Sequence, residues 1–124
     1  MAVRDQRLAS NIRYNHTMII VLTSLANPIE AESLAEKIVS AKLAACVQIL
    51  PQITSVYIWE GQMQNESESL LLIKTLPEKY DELQAFITAN HSFDVPEIVA
   101  IDAENVSEPY LQWMRAVLGS EFPL

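Results

Sequence analysis

The chain has 124 residues, half of them apolar, and only two glycines. That is enough to bury the core of one domain without disulfides or a metal, and too apolar for a disordered chain. Sixteen acidic residues against eight basic ones give a net charge of -8, the wrong sign for a general binder of phosphate backbones, so nucleic acid is excluded as the expected partner.

Residues 1–16 hold three of the basic residues, Arg4, Arg7 and Arg13, and show neither strand nor helix periodicity. A flexible tail is expected there; a remnant of an organellar import sequence, or an over-long start with Met18 as an internal start, would give the same pattern. The segment lacks the apolar stretch of a secretory signal, and no run in the chain approaches the roughly 20 apolar residues of a membrane span. A soluble, cytoplasmic protein without membrane contact is expected, and the single Cys46 suits a reducing compartment.

Met18-Ile19-Ile20-Val21-Leu22 is a continuous apolar run, which predicts a first strand over Thr17 to Thr23 buried on both faces. Asn27 and Pro28 then open a helix, with Glu30 placed to complete a capping arrangement. Ala31, Leu34, Ala35, Ile38 and Val39 recur at helical spacing on one face. A long β-prone stretch follows, Ala44 to Leu50 and Ile53 to Trp59, interrupted at Pro51, which cannot donate to a ladder and marks a bend or bulge. Glu60-Gly61-Gln62 reads as a tight turn, and Ser67 to Thr75 as the returning strand of a long hairpin. Pro77 and Glu78 open a second helix with Tyr80, Leu83, Phe86, Ile87 and Asn90 on one face, ending near His91. Glu97 to Ile101 reads as a fourth strand, and Ser107 caps a last helix before Gly119.

The order βαββαβ plus a helix is the split βαβ pattern of an α+β, ferredoxin-like sandwich, here with an extra C-terminal helix and a long hairpin of the second and third strands. The domain is expected over residues 17–119, with 120–124 as a short tail. Helices on one face leave the other sheet face uncovered although its strands are apolar on both sides, so self-association is the expected remedy.

Five segments in order, Lys42-Leu43-Ala44-Ala45-Cys46, Tyr57-Ile58-Trp59-Glu60-Gly61, Ile73-Lys74-Thr75, His91 to Ile98 and Tyr110-Leu111-Gln112-Trp113, resemble the CutA-type divalent-cation-tolerance proteins from about Thr17 to Gly119. The resemblance implies a compact homotrimer built through the long hairpins, similar in shape to PII signalling proteins, with inter-subunit clefts as the proposed sites and an association with copper and other divalent cations in metal homeostasis. Ser92 and Phe93 stand where that family usually has Pro and Tyr, and only Cys46 remains of the cysteines found in some copper-binding members.

Three residues are candidate metal ligands. Cys46 offers a thiolate for Cu(I), against the alternative of a small buried residue. His91 and Glu97 offer imidazole and carboxylate for Cu(II) or Zn(II), against a helix-ending His and a strand-opening Glu. One His and one carboxylate per chain can form a site only between subunits. Trp59, Glu60, Glu66 and Lys74 on the hairpin are expected to line an inter-subunit cleft whose mixed polarity suits a small anionic or zwitterionic ligand as well as a metal; the alternatives are interface packing for Trp59 and an ion pair for Lys74. Trp113 is expected to pack between helix and sheet. No organic cofactor is indicated. Gly-x-Ser-x-Gly, His-Glu-x-x-His, Walker and Cys-x-x-Cys motifs are all absent, so a binding module is expected rather than an enzyme. Acid/base chemistry by Glu60, Glu97 or His91, and a purely structural trimer, remain as alternatives.

Overall fold

The computed structural model describes residues 17–119. The expected tails, residues 1–16 and 120–124, lie outside the described residues, as does His16. Strand β1 (Ile19–Leu25) leads into helix α1 (Pro28–Ser40), strands β2 (Cys46–Trp59) and β3 (Gln62–Thr75) form the hairpin, helix α2 (Tyr80–Asn90) follows, and β4 (Val99–Asp102) precedes helix α3 (Glu108–Val117). The sheet is antiparallel in the order β2-β3-β1-β4, the ferredoxin-like arrangement expected.

Local chemistry explains most boundaries. The Asn27 side chain accepts the Glu30 N–H at 2.9 Å, and its amide donates to the Glu30 carboxylate at 3.2 Å, so the α1 start is capped from both residues. Pro77 opens a 3₁₀ turn, Pro77–Lys79, and α2 proper begins only at Tyr80. Ser107 has an extended backbone but makes no side-chain cap bond; Leu111 N–H reaches its carbonyl at 3.1 Å instead. The first strand is displaced towards Leu25 and the fourth starts at Val99 rather than Glu97. β3 is longer than expected, because Gln62 to Glu66 pair with the far end of β2 despite carrying no apolar pattern.

One sheet face packs on α1 and α2. Val21, Leu71 and Ile73 meet Ala31, Leu34 and Ile38 of α1 and Leu83 and Ile87 of α2 in one core. A second core forms where Leu111, Met114 and Leu118 pack against Met18, Ala45 and Leu76, with Ile20 at its margin. Helix α3 therefore covers only the end of the opposite face where Ile20 and Lys74 stand. The rest of that face is open in the subunit: Leu22 pairs with Leu72 and Val99, Ile20 with Ile101, and Leu50 with Leu70. Leu50, Val99 and Ile101 are each between 43% and 49% exposed.

The hairpin bends where Pro51 suggested. The β2–β3 register shifts between Leu50 and Ile53, with Gln52 at φ 60°. The one extra residue changes the direction of β2, and the outer half of the hairpin projects beyond the end of β1.

Candidate functional site

Beyond Leu25 no strand among the described residues lies beside the outer hairpin, and the segment after α2 folds into that space. His91 fixes this segment from within. The Phe93 N–H donates to His91 Nδ1 at 3.0 Å, which assigns the proton to Nε2, and Nε2–H donates to the Ser24 carbonyl at 2.8 Å. Ser92 donates to the Glu30 carboxylate at 2.8 Å, tying the segment to the start of α1. The Phe93 ring lies 4.8 Å from the imidazole, tilted by 50°.

Between hairpin and segment lies a cavity of about 680 Å³. Its hairpin wall carries Ser55, Tyr57, Trp59, Glu66 and Glu68, and its other wall carries Phe93, Asp94, Val95 and Glu97, with Ser24 and Ser92 between them. Two diagonal bonds organise the hairpin wall. Ser55 donates to Glu68 Oε1 at 2.7 Å, and Tyr57 donates to Glu66 Oε1 at 2.6 Å. The Glu66 hydrogen bond is the main reason the Tyr57 phenol is pushed up to about 12, with the Glu66 and Glu68 charges adding to it. Glu68 is only 7% exposed.

The expected cleft residues separate. Trp59 and Glu66 line the cavity. Glu60 sits at φ 51° in the hairpin turn and does not line it. Lys74 lies at the other end of β3, about 25 Å from Glu66 at the usual strand rise; its ammonium is 5.8 Å over the Tyr110 ring. Among the described residues, no Lys, Arg or His lines the cavity. An anionic ligand loses its expected partner in the subunit.

The expected metal ligands separate too. Glu97 lines the cavity, His91 lies behind it with both ring nitrogens bonded, and Cys46 is opposite Lys74 at the far end of the sheet. Beside Cys46, burial and then the thiol raise the Tyr110 pKa. Among the described residues no group of three or more His, Cys, Asp and Glu side chains could hold a metal ion. Within one subunit these residues do not fit a metal. Trp113, expected to pack against the sheet, is 44% exposed and touches Tyr110 with ring centroids 5.4 Å apart.

Ser24, Ser55, Tyr57, Glu68, Ser92, Phe93, Asp94 and Val95 were not singled out as site residues by sequence reasoning. Tyr57 and Ser92 to Val95 do fall in two of the segments that carry the family resemblance, and the bulge at Pro51 sets apart the outer hairpin that holds Ser55 and Glu68.

A family model described as CutA1 divalent ion tolerance protein matches residues 19–117. The chain belongs to this family. It is 44% identical over 97 residues to "Protein CutA, chloroplastic" of Arabidopsis thaliana, covering 78% of this chain and 53% of that one. It is 37% identical over 100 residues to the divalent-cation tolerance protein CutA of Thermus thermophilus, covering 81% of this chain and 97% of that one. The chain thus spans about half the length of the plant relatives it matches, at 53% and 55%, and nearly all of the bacterial one. Among solved structures, CutA1 from Oryza sativa matches with a TM-score of 0.79 at 42% identity, covering 82% of this chain and 93% of that one. CutA from Archaeoglobus fulgidus matches with a TM-score of 0.79 at 33% identity, covering 82% and 98%. The CutA-type resemblance of the five sequence segments and the ferredoxin-like fold are both borne out.

Proposed function

We propose that this CutA1-family chain acts as a homotrimeric binding module rather than an enzyme, taking copper or another divalent cation, or a small ligand, in clefts between subunits as part of metal homeostasis or signalling. The observation that carries this reading is the family match over residues 19–117, whose relatives include one named for divalent-cation tolerance. The uncovered sheet face supports assembly, because Leu50, Val99 and Ile101 are exposed on it. Trp59 and Glu66 are the two expected cleft residues that line the cavity. His91, Glu97 and Cys46 become metal ligands only if neighbouring subunits complete the site, and His91 must first release a hydrogen bond.

The cytoplasm is the proposed location. Organellar import is the second reading, and it is favoured by two plant relatives named as chloroplastic.

Native mass spectrometry of the untagged protein during a Cu(II) titration tests the reading, since subunit number and bound metal appear in one spectrum. A trimer with saturable copper uptake that His91→Ala abolishes is the expected result. A monomer would remove the assembly, and a trimer that takes up no copper would remove direct binding of that metal.

A further inference from the structure

The walls of the cavity specify the charge of what they can hold. Glu68 is a carboxylate more than nine-tenths buried; among the described residues its Oε1 meets only the neutral Ser55 hydroxyl at 2.7 Å, and no basic side chain lines the space it faces. A buried carboxylate is costly to desolvate, and the usual remedy is a cation with N–H donors. Asp94 and Glu97 add further negative charge at the opposite wall.

A bare metal ion does not meet this need in the subunit. The carboxylates lack the convergence of a metal cluster, and a cavity of about 680 Å³ is of the size used for small organic molecules. Trp59, Tyr57 and Phe93 line it with aromatic surface, which attracts an ammonium group and packs an apolar body. The Tyr57 hydroxyl is already donated to Glu66 at 2.6 Å and the Ser55 hydroxyl to Glu68. Both hydroxyls on the hairpin wall are therefore spent on carboxylates, and the one further side-chain donor there is the Trp59 indole N–H, so carboxylate acceptors dominate the wall. Phe93 cannot restore a phenol donor on the other wall.

We infer that the cavity between the outer hairpin and residues 91–97 binds a small primary organic ammonium, its N–H donors on Glu68 and its apolar or aromatic body against Trp59 and Phe93. This rests on the proposed reading of the chain as a binding module and changes the ligand class from a metal ion to an organic cation. A charge-assisted N–H bond to Glu68 gives the orientation, and the aromatic walls give selectivity for amines with a hydrophobic body over small inorganic cations.

The test uses the full chain and titrates 2-phenylethylamine, with 2-phenylethanol as its neutral isostere, by isothermal titration calorimetry and Trp fluorescence. Saturable binding of the amine, at least tenfold tighter than the alcohol, is expected. Glu68→Gln weakens the amine at least tenfold, whereas Glu78→Gln on the 3₁₀ turn makes the same change in net charge without effect. Trp59→Ala, at a residue 44% exposed, weakens the amine too and serves if Glu68→Gln fails to fold. Equal affinity for amine and alcohol, or equal effects of Glu68→Gln and Glu78→Gln, overturns the inference, as does failure of the amine to bind. The same preparation in the native Cu(II) titration separates the two readings: a trimer that binds copper but no amine leaves the module standing and removes the organic cation.

Discussion

Thr75 and Thr23 are fully buried threonines on adjacent strands, yet their hydroxyls are in opposite situations. Thr75 donates to the Leu43 carbonyl at 2.7 Å, tying the end of β3 to the chain leaving α1, whereas the Thr23 hydroxyl is buried with no partner among the described residues. Replacing Thr75 by Val keeps the shape but strips a buried carbonyl of a donor, and should destabilise by about 1–3 kcal/mol. Thr23→Val removes an unpaired polar atom, so it should be neutral or stabilise by about 1 kcal/mol. Denaturant unfolding of both variants at one protein concentration checks the opposite signs. Tyr57 tests the cavity wall by titration. Its hydroxyl bond to Glu66 raises the folded-state value from 10.0 to about 12, so the stabilisation from that bond is fully present below pH 10 and is lost as pH rises through about 12. In Glu66→Gln the phenolate should appear nearer pH 10, read from its ultraviolet absorbance with Tyr57→Phe as the reference; an unchanged titration would mean the bond is not made in solution. None of these roles could be read from the sequence, because a hydroxyl's partner is set by strand register and not by residue type. Trp59 and Glu66 could be placed on a hairpin wall, but Glu68 lies in a run of alternating Ser and Glu that reads as solvated surface.

Two of the three left-handed non-glycine residues among the described residues shape the joint after α1 and the bend within β2. Lys42 follows α1 with φ 59°, and bonds from Lys42 N–H to the Val39 carbonyl and from Leu43 N–H to the Ile38 carbonyl close the helix as a Schellman motif, where glycine is the usual residue. Gln52 adopts φ 60° in the β2 bulge. Both carry a Cβ in a conformation that penalises it, so Lys42→Gly and Gln52→Gly should each stabilise by about 0.5–1 kcal/mol after the extra freedom of unfolded glycine is offset. Valine at either position should lower the thermal midpoint, and a fall on going to glycine would contradict the geometry. These joints also explain what was readable at this scale. Asn27-Pro28 and Pro51 act on backbone within a few residues of themselves, so the start of α1 and the bend in β2 follow from local chemistry. The Gln62–Glu66 half of β3 does not, since it is a strand only because the outer half of β2 lies beside it. The same dependence separates Lys74 from Glu66 within one subunit: a hairpin residue is near another only if both lie at the same end, and strands of 14 residues have distant ends.

At the scale of the molecule, the exposed apolar residues are distributed unevenly. Leu50, Val99 and Ile101 lie on the sheet face that α3 leaves open, while Ile58 and Met63, 63% and 73% exposed, form a cross-strand pair near the hairpin tip. Ile29, 81% exposed, stands on the first turn of α1. If subunits meet through the open face and the hairpins, a carboxylate at Ile101 or Ile58 is desolvated without a counter-ion, and in a trimer the penalty is repeated at symmetry-related positions. The same carboxylate at Ile29 stays in water and costs little. Ile101→Glu and Ile58→Glu should therefore shift micromolar protein from trimer to monomer, while Ile29→Glu stays assembled, as read by native mass spectrometry or light scattering. The three changes alter net charge equally, so general repulsion in a chain already at -8 cannot account for a difference. Loss of the trimer in Ile58→Glu alone would assign assembly to the hairpins and leave the sheet face for another partner. Three variants that all behave like Ile29→Glu would show that the proposed interface is in the wrong place.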